Sequence, residues 1–96
     1  MLIPKIQPYR NKKYLDWVAL QPSVISGKPA DEGHHIKGHG YGGSVKPSDV
    51  FTFPLTREEH TEFHNIGWCS WEDKYNVDQR DLVLQTIEKY AKEVGI

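Results

Sequence analysis

Four of the five histidines in this sequence fall into two tight arrangements: an adjacent pair, His34 and His35, and a His-x-x-x-His pair, His60 and His64. Residues i and i+4 of a helix lie one above the other on the same face, roughly 5 to 6 Å apart at Cβ, so two imidazoles at that spacing can converge on one metal ion. Neighbouring residues of an extended strand point to opposite faces instead. One member of the adjacent pair can therefore join the helical pair as a ligand while the other acts as a base. A three-histidine site with an open position would hold a divalent cation that polarises a phosphodiester and stabilises charge on the leaving oxygen. An unligated histidine, whose ordinary pKa lies near working pH, can take a proton from the attacking water.

Each pair has a plainer explanation when taken alone. His34 and His35 could be hydrogen-bonded loop residues, and His60 and His64 could lie on a solvated helix face beside Glu58, Glu59 and Glu62. Together, with a glycine-dense loop between them, they favour a metal site. His39 stands between Gly38 and Gly40 and reads as a loop residue; a phosphate contact or an alternative ligand is its functional reading. A zinc peptidase would want His-Glu-x-x-His, but Thr61 follows His60 and Glu62 is displaced by one position.

The elements that must carry these residues are legible from caps and periodicity. Thr56 and Glu59 have the spacing of a capping box, so a helix should start there and run through His64 toward Gly67. Residues 50–55 have strand character, and His34-His35-Ile36 forms a second short strand, the two joined by a loop containing Gly38, Gly40, Gly42 and Gly43. Residues 1–9 read as extended. Asn11 is the expected cap of a helix presenting Tyr14, Leu15, Val18 and Ala19, ended by Pro22, and residues 21–33 read as a loop or loose hairpin. Asp78 should cap a last helix with Val83, Ile87, Tyr90 and Val94 on its packed face and Gly95 at its end. Trp68 and Trp71 are expected to cover the core between the last two helices.

Length and composition set the frame. At 96 residues the chain has room for one domain around one core, and its apolar and charged fractions (38% and 26%) are those of an ordinary globular protein. No apolar run reaches the length of a membrane span or a signal h-region, and Cys69, the sole cysteine, cannot form an internal disulfide. The expected compartment is the cytoplasm. The net charge of −1 argues against simple phosphate binding, but its distribution is uneven. Residues 1–28 carry Lys5, Arg10, Lys12, Lys13 and Lys28 against Asp16 alone, so the N-terminal part is the expected phosphate-facing surface; Lys12 and Lys13 as solvated helix residues is the alternative. Lys37 and Lys46 flank the glycine loop, and Arg57 opens the metal helix.

The run His34-His35-Ile36, the glycine loop, Asp49-Val50 and His60-x-x-x-His64 together resemble the signature of the HNH (ββα-metal, His-Me finger) endonucleases. Small phage and prophage proteins with the pattern HHIxGHGxGG are the nearest likeness, and the RecA-dependent nuclease Ref is similar at greater distance. The resemblance implies an α+β domain over residues 1–96, with a ββα-metal core motif at 32–66 and flanking N-terminal and C-terminal helices. It implies His34, His60 and His64 as metal ligands, His35 as general base, Asp49 in the place of the asparagine that orients the base, and Glu32 as a supporting carboxylate, as in the nuclease colicins. One divalent ion (Zn²⁺, Ni²⁺, Mn²⁺ or Mg²⁺) is the implied cofactor, DNA the implied partner and substrate, and a recombinase filament a candidate second partner. The implied setting is phage or prophage DNA recombination or processing, in the host cytoplasm if phage-encoded. The rival reading is a non-catalytic, metal-stabilised DNA-binding or recombination-accessory module. Many relatives carry two thiol pairs for a structural zinc; the matching positions here are Ser23, Ser26, Thr56 and Glu59.

Overall fold

The computed structural model of the chain describes residues 8–41 and 46–95. Residues 1–7 of the expected extended segment, with Lys5, and Gly42 and Gly43 of the glycine loop lie outside them. Within the described residues, four helices pack around a two-stranded antiparallel sheet, an α+β arrangement.

Helix α1 (Lys12–Ala19) starts where the Asn11 side chain accepts a hydrogen bond from the Tyr14 N–H at 3.0 Å. Its buried face, Tyr14 and Val18, lies over strand β1 (Glu32–His35). Gly33 makes that approach possible, because a Cβ there would sit 3.1 Å from Val18 Cγ1. Strand β2 (Thr52–Leu55) pairs with β1 so that Glu32 faces Leu55, His34 faces Phe53 and His35 faces Thr52. Val50 and Phe51, expected in the strand, precede it. The chain turns there, with the Phe51 N–H donating to the Ser48 carbonyl (2.9 Å) and the buried Thr52 hydroxyl to the Asp49 carbonyl (2.9 Å). Residues 21–30 form the loose hairpin, bridged at Pro22 and Pro29 and joined to β2 by the Val24 N–H on the Pro54 carbonyl.

Helix α2 (Arg57–Ile66) opens with both halves of the capping box formed between Thr56 and Glu59. It ends at Gly67 (φ +86°), and a further helix, α3 (Trp68–Tyr75), begins at once and stops at Asn76 in the left-handed conformation. The two tryptophans therefore lie on a helix of their own, not on a connection. Gly67 hides the boundary because one residue closes one helix and opens the next. Trp68, Trp71 and Tyr75 form the i, i+3, i+7 stripe of α3, and fully buried Trp71 packs on Phe53 and Phe63.

Helix α4 (Gln79–Val94) is capped by Asp78 and ends at Gly95. Its buried face is Gln79, Leu82, Val83 and Thr86; Ile87 is partly buried, and Tyr90 stands edge-on to Tyr14 and Trp17. Val94, expected on that face, is 52% exposed in the last turn, beyond the packed stretch. The core joins Ile36, Phe53, Leu55, Phe63, Trp71, Leu82 and Val83, so β2, the residue just after β1 and the last three helices share it. No described helix is long and apolar enough to cross a membrane.

One polar cluster fastens the hairpin to α2. The Ser23 hydroxyl donates to Glu59 Oε1 at 2.5 Å, the Thr56 N–H donates to the same oxygen at 2.8 Å, and the Ser26 N–H donates to Ser23 Oγ at 3.2 Å. Burial would raise the Glu59 carboxyl, but hydrogen bonds from Ser23, the Thr56 N–H and Ser26 outweigh it and hold it below its usual value. Glu59→Ala removes the acceptor shared by Ser23 and Thr56. The expected loss is about 1–3 kcal/mol, read as a lower urea midpoint with unchanged slope, whereas Glu59→Gln, which keeps an acceptor oxygen, loses less.

Candidate active site

The two-residue period of β1 divides its side chains between two surroundings. Glu32 and His34 turn toward α2, while Gly33 lies under Val18 of α1 and His35 turns to Asp49, whose carboxylate meets the Asn11 N–H at the start of α1. On the first face, α2 presents His60 and His64 one turn apart, with ring centroids 4.6 Å from each other. The His34 ring stands 4.6 Å from His60 and 5.9 Å from His64. One nitrogen from each of the three rings lies within 4.8 Å of the others, and the Nε2 atoms of His60 and His64 are 2.8 Å apart. Glu32 Oε1, at 2.5 Å, accepts the Nδ1–H of His60, which leaves the His60 Nε2 lone pair for the cluster.

His34 is the buried member. Burial pushes its pKa down to about 3, helped by the neighbouring His60 and His64, so it stays neutral with a lone pair to offer. Its Nε2 is buried with no hydrogen-bond partner among the described residues. Such an atom costs about 1–3 kcal/mol if left unsatisfied. Three imidazoles around that orphaned nitrogen are a donor set that fits a single divalent ion. His64, the exposed member, is also lowered, by partial burial first and then by His60.

On the opposite face, His35 Nε2 lies 3.0 Å from Asp49 Oδ1. Asp49 is buried and held by the Asn11 N–H at 2.8 Å and by Arg10 Nη1 at 3.2 Å. Burial would raise its pKa, but hydrogen bonds from His35, the Asn11 N–H and Arg10 keep it below the ordinary value. An ionised Asp49 accepts Nε2–H and so leaves the Nδ1 lone pair of His35 free to receive a proton. Both faces open onto one cleft of about 570 Å³, lined by His34, His35, His60 and His64 together with Lys37 and Lys46.

Of the basic N-terminal stretch, Lys12, Lys13 and Lys28 are exposed, and Lys5 lies outside the described residues. Arg10, half exposed, lies across the loop, its guanidinium donating to the carbonyls of Pro47 (2.7 Å) and Lys46 (2.9 Å) as well as to Asp49, and Lys12 pairs with Asp16 on the surface. The cations at the cleft are the loop lysines, Lys37 and Lys46. Arg10 and the second role of Asn11 escape sequence reasoning because their partners stand 36 to 39 residues away. Gln79 escapes it as well: this fully buried residue accepts from the Lys37 N–H (3.0 Å) and donates to the Lys37 carbonyl (2.7 Å). His39 lies outside the three-histidine cluster and faces Glu72.

A family described as a protein of unknown function, DUF968, matches residues 1–95. An Escherichia coli (strain K12) protein described as uncharacterized protein YdfU is 39% identical over 97 residues, an alignment spanning all of this chain and 27% of that protein. The chain thus spans about a quarter of the length of that curated relative. No solved structure matches the chain.

The buried neutral His34 makes the metal-free protein sensitive to acid. The unfolded chain takes up a proton at His34 near the usual 6.5, and the folded chain only near 3. Between those values the unfolded state binds more protons, so stability present at neutral pH is lost as pH falls from 6.5 toward 3. The contribution of one such group is at most about 1.4 kcal/mol per pH unit. Urea midpoints of chelator-treated protein at stepped pH should show this decline, and His34→Gln should flatten it.

Proposed function

The chain belongs to the DUF968 family, and from the geometry of its cleft we propose that it is a metal-dependent DNA endonuclease of the HNH, ββα-metal type. The observation that carries this reading is the pairing, in one cleft, of a buried orphaned His34 nitrogen facing His60 and His64 with a His35 whose far nitrogen is taken by Asp49. The order of β1, β2 and α2 supports it, since two antiparallel strands followed by a histidine-bearing helix is the arrangement that the HNH resemblance implies.

In this reading His34, His60 and His64 hold the ion, and Glu32 fixes the tautomer of His60. When bound, a divalent cation supplies Lewis-acid polarisation of the phosphodiester and stabilises the departing oxygen. His35 takes the proton of the attacking water at Nδ1, with its Nε2–H held by Asp49. Arg10 and the Asn11 N–H act through Asp49: they keep it ionised and in place, so the ring of His35 is aimed without contacting substrate themselves. Lys37 and Lys46 draw the phosphate backbone into the cleft. Three imidazole ligands favour Zn²⁺, Ni²⁺ or Mn²⁺ over Mg²⁺ for binding. The expected products carry a 5′ phosphate.

The test is nicking of supercoiled plasmid in EDTA, Mg²⁺, Mn²⁺, Ni²⁺ or Zn²⁺. Wild type should nick only with metal. His35→Ala should lose about 10²-fold or more in rate while still binding the ion, and His64→Ala should lose both rate and affinity. Unimpaired nicking by His35→Ala would sink the assignment of the base. An ion that binds without supporting any cleavage would put the accessory-module reading ahead.

A further inference from the structure

A second convergence of donor atoms lies apart from the cleft and shares no residue with it. His39, Glu72 and Asp78 come from three places in the fold: the turn after β1, the middle of α3 and the cap of α4. One donor atom from each lies within 4.8 Å of the others. The His39 and Glu72 side chains are largely buried, 16% and 11% exposed, and Asp78 is partly so.

The backbone around His39 is held in an uncommon shape to achieve this. His39 has φ +52°, one of two non-glycine residues in the left-handed region among the described residues. Its turn is closed by reciprocal hydrogen bonds between Gly38 and Tyr41. Gly38 (φ +81°) is pressed against Trp68 so closely that a Cβ would lie 2.2 Å from Cε2 of the indole. The result aims the imidazole of His39 at α3, with its ring centroid 4.6 Å from that of Trp68.

We propose that His39, Glu72 and Asp78 form a second divalent-cation site, whose role is to tie the loop after β1 to α3 and α4. His39 Nε2 faces both oxygens of Glu72, at 3.0 and 2.9 Å, and Asp78 Oδ1 stands 3.8 Å away. A single N–H points well at one oxygen, whereas three acceptors gathered about a common point suit a cation. One imidazole nitrogen with two carboxylates is a donor set for Zn²⁺ or Mn²⁺. The Arg80 guanidinium balances Asp78 and holds its carboxylate, with Nε 3.0 Å from Oδ1 and Nη2 2.6 Å from Oδ2. Glu72 is met by neutral donors, the Gln79 N–H and side-chain amide, besides His39. Because Arg80 competes for Asp78, this site binds more weakly than the three-histidine cluster.

The experiment titrates Zn²⁺ and Mn²⁺ by calorimetry into the chelator-treated full chain, in a Cys69→Ser background so that the exposed thiol contributes nothing. Two equivalents are expected, the second weaker. His60→Ala/His64→Ala should retain one equivalent and a melting temperature that rises with Zn²⁺. Adding Glu72→Gln or His39→Asn should abolish both effects; if one of these variants does not fold, the other serves. The proposal is overturned if the double variant binds no ion and its melting is unmoved, which leaves His39 and Glu72 as a hydrogen-bonded pair. It is equally overturned if the remaining equivalent survives Glu72→Gln and His39→Asn. Neither readout involves DNA cleavage, so failure here is separate from failure of the nuclease reading.

Discussion

Two adjacent histidines on one extended strand cannot face the same way, and the rest of the structure follows from that constraint. Because β1 sends His34 and His35 to opposite faces, each needs its own supporting element. The face of His34 is completed by α2, which brings His60 and His64, and by Phe53 and Phe63, which remove it from water. The face of His35 is completed by the turn at Asp49 and the start of α1. A two-stranded sheet is too small to stabilise such an arrangement alone. The remaining helices supply what it lacks: α3 inserts Trp71 and α4 lays Leu82 and Val83 against the strands.

Legibility in the sequence follows the range of the interaction. Asn11, Thr56 with Glu59, Asp78 and Gly95 all act within a few residues, and each cap lies where its sequence signal stands. The His-x-x-x-His spacing is similarly local, and the strand period separates His34 from His35 as expected. What escaped was set by distant partners. Nothing near Arg10 announces that its guanidinium will bind carbonyls of residues 46 and 47, and nothing near Gln79 announces Lys37. The extra helix α3 escaped for another reason: a single glycine separates it from α2, so two helices read as one helix and a connection.

The cluster of Ser23, Ser26, Thr56 and Glu59 shows how a local helix cap is drawn into tertiary structure. These four residues, from the hairpin and the start of α2, lie together around one carboxylate. The capping box explains Thr56 and Glu59 through α2 alone, yet Ser23 extends it across 36 residues to the hairpin. A cap is thereby also a tertiary tie, and the helix that presents His60 and His64 is anchored at its first turn.

Gln79 carries a consequence for how the sheet meets other molecules. Along an extended chain, consecutive residues turn their backbone groups to opposite edges. With the Ile36 N–H donating to Phe51, the groups of Lys37 face outward, and the Gln79 carboxamide binds both of them. A side chain from a helix thus imitates one peptide unit of a neighbouring strand and brings the ladder to an end. An open edge invites pairing with another chain, whether in aggregates or in exchanged dimers. This helix residue acts as an end-stop against such recruitment, guarding the rim next to His34 and His35 without placing another strand across it.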